Sequence, residues 1–127
     1  MSYYPPISIL VVEDDGELRA SVVAILELQA DMKVLGQAAN GQDAFNLCRY
    51  LHPQIVLMDI VMPVMNGITA THLIHDYDPE IRVLVFSNSD QSLVDEALMA
   101  GAVGQVSKTG NVEKMLDDIR EAAHQML

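Results

Sequence analysis

Residues 55–67, IVLMDIVMPVMNG, are the most informative stretch of the chain for its fold. A short apolar run ends at Asp59, and a loop containing Pro63 and Gly67 follows before helical spacing resumes. Short apolar runs bounded by Pro and Gly favour buried strands. The stretch therefore predicts a buried strand that ends in a carboxylate, followed by a loop and a helix.

The same unit recurs along the chain. Apolar runs lie at 7–12, 33–38, 55–58, 81–86 and 103–106. A segment with apolar residues at helical spacing follows each run; these faces are Leu18/Val22/Ile25/Leu26, Ala44/Leu47/Cys48/Leu51, Ala70/Leu73/Ile74/Tyr77, Val94/Ala97/Leu98/Gly101 and Val112/Met115/Leu116/Ile119. Residues of N-cap type precede the helices, namely Asp15, Asn40, Asn66, Asp90 and Asn111. Strands separated by helices run parallel, so we expect a doubly wound α/β sheet.

Composition limits the function. The chain has 127 residues, enough for one domain, which we predict to span 1–127 with residues 1–6 as a flexible lead. Eighteen Asp and Glu against seven Lys and Arg give a formal charge of −11, which argues against binding of DNA or anionic membranes by this chain. The first residues lack a secretory signal pattern, and we expect a cytoplasmic protein. A single Cys48 at a core position of a helical face predicts an inert buried thiol.

Chemically useful side chains stand at the ends of four predicted strands. Glu13 and Asp14 follow the first strand, Asp59 the third, Ser87 the fourth and Lys108 the fifth. Ligands of such sheets bind beyond the carboxyl ends of the strands, so these groups should gather there. Clustered carboxylates repel one another unless a cation is bound, and oxygen ligands favour magnesium. Asp59 is then a candidate nucleophile toward phosphorus, with one hydroxyl and one ammonium beside it.

Other polar residues have simpler interpretations. Asp15 is explained as a helix cap. His72 and His75 lie three residues apart on one helix, but the sequence brings no third zinc ligand near them. Met58, Met62 and Met65 surround Asp59, and thioethers do not suit magnesium, so we interpret them as packing residues.

Four stretches together resemble the receiver domain of two-component response regulators, from residue 7 to about 126. They are ILVVEDD, IVLMDIVMPVMNG, VLVFSNS and AGAVGQVSK. The resemblance implies a flavodoxin-like five-stranded sheet of order 2-1-3-4-5 with five helices. The style of the second stretch and of VLVFSNS, in the fourth strand, is most similar to regulators whose output is a LuxR-type helix-turn-helix.

The resemblance also implies roles for individual residues. Asp59 would accept a phosphoryl group from a phosphohistidine on a sensor histidine kinase or phosphotransfer protein. Glu13, Asp14, Asp59 and the backbone carbonyl of Val61 would hold Mg²⁺, while Ser87 and Lys108 would respond to the phosphate. The face formed by the fourth helix, fifth strand and fifth helix would then change and bind partners or a second copy. Such a chain acts on itself and is not a turnover enzyme.

Two positions depart from the family pattern. Gln105 stands where the family usually has an aromatic that moves with the Ser or Thr, which leaves open a degenerate receiver that binds partners without phosphorylation. Thr109 follows the lysine where many members have proline. Two other function classes fit less well. A haloacid-dehalogenase-like phosphatase usually has an aspartate at the position of Val61, and Glu13 and Asp14 would repel a flavin phosphate.

Overall fold

The computed structural model describes residues 5–88 and 90–124. Its strands are β1 (Ile7–Val12), β2 (Met32–Ala38), β3 (Ile55–Met58), β4 (Arg82–Phe86) and β5 (Gly104–Val106). Its helices are α1 (Gly16–Glu27), α2 (Gly41–Leu51), α3 (Gly67–Tyr77), α4 (Gln91–Met99) and α5 (Val112–His124). Of the predicted flexible lead, residues 1–4 lie outside the described part, and Pro5 and Pro6 are exposed.

The five strands form one sheet in the order β2-β1-β3-β4-β5, with every neighbouring pair parallel. This confirms the predicted doubly wound, flavodoxin-like architecture. The chain reverses its direction of travel across the sheet between β1 and β3, so the loops after these strands diverge and leave a crevice at their carboxyl ends. Glu13 and Asp59 follow these two strands directly.

Alternation along the strands divides the core into two layers, because successive side chains point to opposite faces. One layer packs Ile9, Val11 and Leu57 against α1 and α5, where Leu26 and Ile119 are fully buried. The other packs the intervening strand residues against α2, α3 and α4; its members include Leu10, Val12, Val56, Ala44, Cys48, Ile74 and Val94. With both faces covered, β3 is apolar throughout, and β1 and β4 are apolar except for Ser8 and Arg82 near their starts.

The predicted helix starts are correct. The side chains of Asp15, Asn40, Asn66 and Asp90 accept hydrogen bonds from backbone amides in the first turns of α1 to α4. Asn111 does the same for α5, accepting from the amide of Lys114 at 2.7 Å. Each cap satisfies amides that have no partner within the helix.

Three predicted helix faces are partly wrong at their ends. Leu98, Val112 and Tyr77 are 39%, 44% and 45% exposed. Gly101 lies beyond the end of α4, with a φ of 123°. These positions continue the spacing of the buried stripe, but they lie in the first or last turn of a helix or beyond it, where the stripe is less covered by the sheet.

Within residues 5–88 and 90–124, no helix is both long enough and apolar enough to cross a bilayer.

Candidate functional site

Four loops at the carboxyl edge of the sheet bring the predicted site residues together. The Asp59 amide donates to the Val12 carbonyl at 3.0 Å, which extends the β1–β3 ladder by one residue. In the same way, the Ser87 amide donates to the Val106 carbonyl at 3.1 Å. Because these bonds continue the sheet, the sheet holds the backbone at Asp59 and Ser87.

Three carboxylates form a compact cluster here. Glu13, Asp14 and Asp59 each offer an oxygen atom, and these oxygens lie within 4.8 Å of one another. Glu13 and Asp59 are 1% and 5% exposed, whereas Asp14 is on the surface. Burial of charged groups this close together is costly unless a cation compensates them.

Lys108 supplies part of that compensation. Its Nζ lies 2.5 Å from Glu13 Oε1 and 3.1 Å from Asp59 Oδ1, so one ammonium bridges two buried carboxylates. The second Glu13 oxygen, Oε2, accepts a hydrogen bond from the Asp15 amide at 3.0 Å. Asp59 Oδ1 also accepts from the Ile60 amide at 2.9 Å.

These contacts shift the acidity of the cluster. Burial, followed by the negative charge of Glu13, raises the pKa of Asp59 to about 7. Burial also opposes ionisation of Asp14, but hydrogen bonds involving Glu13 and Asp59 outweigh it and lower the Asp14 pKa. For Lys108, burial is outweighed by the Glu13 and Asp59 carboxylates, and its pKa is raised. An added positive charge beside Asp59 would therefore stabilise the ionised form of its carboxyl group.

The cluster opens into a shallow pocket of about 380 Å³. Its lining includes all six predicted site residues, namely Glu13, Asp14, Asp59, Val61, Ser87 and Lys108. The Ser87 side chain is buried, and Val61 is 65% exposed at the rim. The sequence therefore predicted correctly which residues meet at this edge.

Asn88 belongs to the same pocket and was missed by sequence reasoning. Its Oδ1 accepts from the Lys108 amide at 3.0 Å and from Ser107 Oγ at 3.3 Å, and thereby joins the loop after β4 to the loop after β5. No local signal indicates this contact, because the partners are about twenty residues apart and only the β4–β5 pairing brings them together.

The loop between β3 and α3 depends on close backbone contact. A side chain at Gly67 would overlap the carbonyl of Asp59, so glycine alone fits there. The Gly67 amide donates to the Ile60 carbonyl at 2.8 Å and fixes this approach. Val64, in the same loop, has a φ of 69° and is 83% exposed, an unfavourable backbone conformation for a β-branched residue.

Gln105 does not mimic an aromatic. Its side chain is exposed, and its Nε2 lies 3.5 Å from the carbonyl oxygen of Ser87, at the limit of a hydrogen bond. The residue at this position is therefore a polar surface group whose side-chain amide lies beside the Ser87 backbone.

The structure also places the other residues that the sequence analysis discussed. Cys48 is fully buried, and burial raises the pKa of its thiol to about 12. Met58 is in the core, and Met62 and Met65 pack against it. His72 pairs with Asp76 at 3.4 Å on the surface of α3. Among residues 5–88 and 90–124, the carboxylate cluster is the only group of three or more His, Cys, Asp or Glu side chains close enough to bind a metal.

The chemistry of the cluster suits Mg²⁺. Its three side-chain donors are all carboxylates, and Lys108 brings a single positive charge against them. A hard divalent cation that binds through one or two carboxylates and keeps several waters would balance the remaining charge in an open pocket. The residues present therefore fit this ion.

Comparison with known proteins agrees with this geometry. Residues 9–120 match the model of the response regulator receiver domain. The transcriptional regulatory protein LnrK of Bacillus subtilis is 40% identical over 103 residues, which cover 80% of this chain and 47% of LnrK. The chain thus spans about half the length of that relative.

Solved structures show the same fold. A two-component response regulator of the LuxR family from Aurantimonas sp. superimposes with a TM-score of 0.89 at 28% identity, covering 94% of this chain and 86% of that chain. A chain of the CheX–CheY–BeF3–Mg²⁺ complex from Borrelia burgdorferi gives a TM-score of 0.84 at 28% identity. The superposition covers 92% of this chain and 89% of that chain. The likeness to LuxR-family regulators that the sequence indicated is confirmed.

Three findings agree. The family model matches most of the chain, the strand order is that of the fold, and an acidic cluster lies at the carboxyl edge of the sheet. The chain belongs to the response regulator receiver domain family and is a receiver of two-component signalling.

Proposed function

We propose that this chain is a phosphorylation switch that takes a phosphoryl group onto Asp59 from the phosphohistidine of a sensor histidine kinase or phosphotransfer protein. One observation supports this above others. A buried carboxylate at the end of the central strand β3 has an ammonium 3.1 Å away and two further carboxylates beside it, at the mouth of an open pocket.

Asp59 acts as the nucleophile. One of its carboxylate oxygens forms a bond to phosphorus while the bond from phosphorus to the donor's imidazole nitrogen breaks, and the electron pair stays on that nitrogen. The Ile60 amide and Lys108 hold Oδ1, which leaves Oδ2 as the attacking atom. Phosphoryl transfer depends mainly on such positioning and on charge around the phosphate oxygens.

Glu13, Asp14, Asp59 and the Val61 carbonyl hold Mg²⁺ in this proposal. When bound, the ion neutralises negative charge on the carboxylates and on the phosphate oxygens. The CheX–CheY–BeF3–Mg²⁺ complex from Borrelia burgdorferi supports this choice of ion.

Ser87 and Lys108 respond to the phosphoryl group on Asp59. A phosphoryl group on Asp59 adds about −1.5 to −2 charge and strong acceptor oxygens. Lys108 then exchanges its Glu13 contact for the phosphate, and the Ser87 hydroxyl turns to the same group. Both residues lie at the ends of strands that flank α4 and α5, so these movements change the α4–β5–α5 face.

Several wider features belong to the same proposal. Residues 1–127 form a single receiver domain of a cytoplasmic protein, with no direct binding of nucleic acid by this chain and no membrane contact. Phosphorylation favours a homodimer or a partner complex through the α4–β5–α5 face. The chain spans about half the length of LnrK, and its likeness to LuxR-family regulators supports a role as the receiver of a regulator of that kind. Catalysis is confined to the chain's own phosphorylation and dephosphorylation.

Intact-mass spectrometry after incubation with acetyl phosphate tests the proposal. Wild type should gain one phosphoryl group only when Mg²⁺ is present, and Asp59→Asn should gain none. Asp43→Asn is a matched control, because it removes an exposed carboxylate on α2 and should leave the gain unchanged. Equal phosphorylation of wild type and Asp59→Asn would reject Asp59 as the acceptor.

A second candidate is a degenerate receiver that binds its partner without phosphorylation. Gln105 favours this candidate, because it stands in place of the aromatic residue that usually moves with the Ser or Thr. Its side chain is exposed and contacts the Ser87 backbone at 3.5 Å. No mass gain in wild type, together with partner binding unaffected by Asp59→Asn, would favour this candidate.

A further inference from the structure

We propose that Arg19 is a positioning residue for the magnesium site, acting through the backbone of Glu13. The inference rests on the magnesium site of the proposed function. Arg19 lies on the first turn of α1, outside the carboxylate cluster and its pocket lining.

The contact is specific. Arg19 Nη1 donates to the carbonyl oxygen of Glu13 at 2.6 Å, and Arg19 Nε donates to Gln37 Oε1 at 3.2 Å. The planar guanidinium thus bridges the end of β1 to the end of β2 with two donors of fixed relative geometry. A charge-assisted hydrogen bond of this length is among the stronger ones in proteins.

The hydrogen bond from Arg19 to the Glu13 carbonyl is one of several that hold the β1–α1 loop in place. The Glu13 amide donates to the Ala38 carbonyl at 3.0 Å, and Asp15 caps α1 through the amides of Glu17 and Leu18. The carbonyl of Glu13 lies between the Glu13 amide, which is bonded to β2, and the Asp15 cap. Arg19 donates a hydrogen bond to this carbonyl and fixes its direction. Since this peptide links Glu13 to Asp14, its orientation sets where both carboxylates point.

The sign of the effect separates positioning from simple charge. Arg19 is a cation near a proposed cation site, so its removal by Coulomb's law alone would strengthen Mg²⁺ binding. Release of the Glu13 carbonyl would loosen the two carboxylates and weaken binding. Groups that orient metal ligands typically change metal affinity about 10- to 100-fold when they are removed.

Calorimetric titration of the unphosphorylated chain with Mg²⁺ tests the inference. Arg19→Ala should bind Mg²⁺ about tenfold more weakly than wild type, at the low end of that range. Arg19→Lys, which keeps one donor and the charge, should have an intermediate affinity. Arg49→Ala is the matched control, since it removes an exposed arginine of α2 that contacts Asn46 and Phe45, and it should bind as wild type does.

Unchanged or tighter binding by Arg19→Ala would overturn the inference, and so would equal weakening by Arg19→Ala and Arg49→Ala. A thermal unfolding midpoint is measured for each variant. If Arg19→Ala does not fold, Gln37→Ala is the deciding variant. It removes only the hydrogen bond between Arg19 Nε and Gln37 and should weaken Mg²⁺ binding by a smaller factor. Absence of Mg²⁺ binding by wild type would reject the magnesium site and this inference together, whereas normal binding by wild type and Arg19→Ala alike would reject only the inference.

Discussion

At the scale of single residues, burial of the Asp59 carboxylate lowers the stability of the fold. Asp59 is buried beside Glu13, and its pKa is raised to about 7 from the ordinary 3.8. The folded protein therefore binds this proton more tightly than the unfolded chain does. Such a group lowers stability as pH rises from about 4 to about 7, because the unfolded state ionises first.

Asp59→Asn should consequently stabilise the metal-free protein. The gain should be near zero at acid pH and grow to about 1–3 kcal/mol at neutral pH, since one pKa unit corresponds to about 1.4 kcal/mol. Urea unfolding in the presence of a chelator at several pH values measures it, with Asp43→Asn as the control. A gain that is equal at all pH values would show that ionisation of Asp59 is not its cause.

Val64 carries a different cost. Its φ of 69° lies in the left-handed region, which strains the backbone of a β-branched residue. Because its side chain is 83% exposed, packing contacts offset little of this strain. Val64→Gly should therefore raise the free energy of unfolding by about 0.5–1 kcal/mol despite the flexibility of glycine. Val61→Gly, at an exposed position of the same loop without a positive φ, should lower it. Both are read from denaturant midpoints, and destabilisation by Val64→Gly would contradict the strain.

At the scale of elements, the junction of β3 and α3 positions Asp59. A Cβ at Gly67 would collide with the backbone of Asp59 and Ile60, which cannot move without disturbing the sheet. Gly67→Ala should destabilise the protein by about 2 kcal/mol or more through overpacking and should also slow phosphorylation of Asp59.

Gly16→Ala is the matched control for this substitution. A Cβ there meets only the end of the Arg19 side chain at 3.8 Å, an ordinary contact, and alanine favours a helix. Stability should be unchanged or slightly higher, with normal phosphorylation. If both alanine variants behaved alike, the close approach at Gly67 would not constrain the acceptor.

Most of the elements and four strand ends could be predicted from the sequence, for a physical reason. Parallel strands present their carboxyl ends at one edge, so Asp59, Ser87 and Lys108 had to be near one another once the βα order was recognised. The contacts of Asn88 and Arg19 could not be predicted. They depend on which loops lie side by side and on the reach of particular side chains, and neither leaves a periodic pattern.

The ends of helices show the same limit. Tyr77 continues the buried spacing of α3, yet it lies at the last turn, where it stacks against His52 and packs edge-on against Phe45. Helical period identifies a face of a helix but not how far the neighbouring sheet covers it. Val64 was also unpredictable, because a valine gives no sign of a positive φ.

At the scale of the whole molecule, Lys108 is proposed to couple the site to the α4–β5–α5 face. It now bridges Glu13 and Asp59, and its amide is held by Asn88. Lys108→Ala should still allow some phosphorylation but should abolish the resulting change in dimerisation or partner binding. Sedimentation of phosphorylated and unphosphorylated protein measures this, with Lys33→Ala as the control, since Lys33 is exposed on β2 at the opposite edge of the sheet. A phosphorylated Lys108→Ala protein that associates as wild type does would show that Lys108 is not the coupling residue.

The central claim is that Asp59 carries the phosphoryl group. Borohydride reduces an aspartyl phosphate to homoserine, so treatment of the phosphorylated chain followed by peptide mass spectrometry identifies the modified position directly. We predict homoserine at position 59, formed only in samples that received both a phosphodonor and Mg²⁺. Homoserine at position 14 or at any other aspartate, with an unmodified residue 59, would contradict the account.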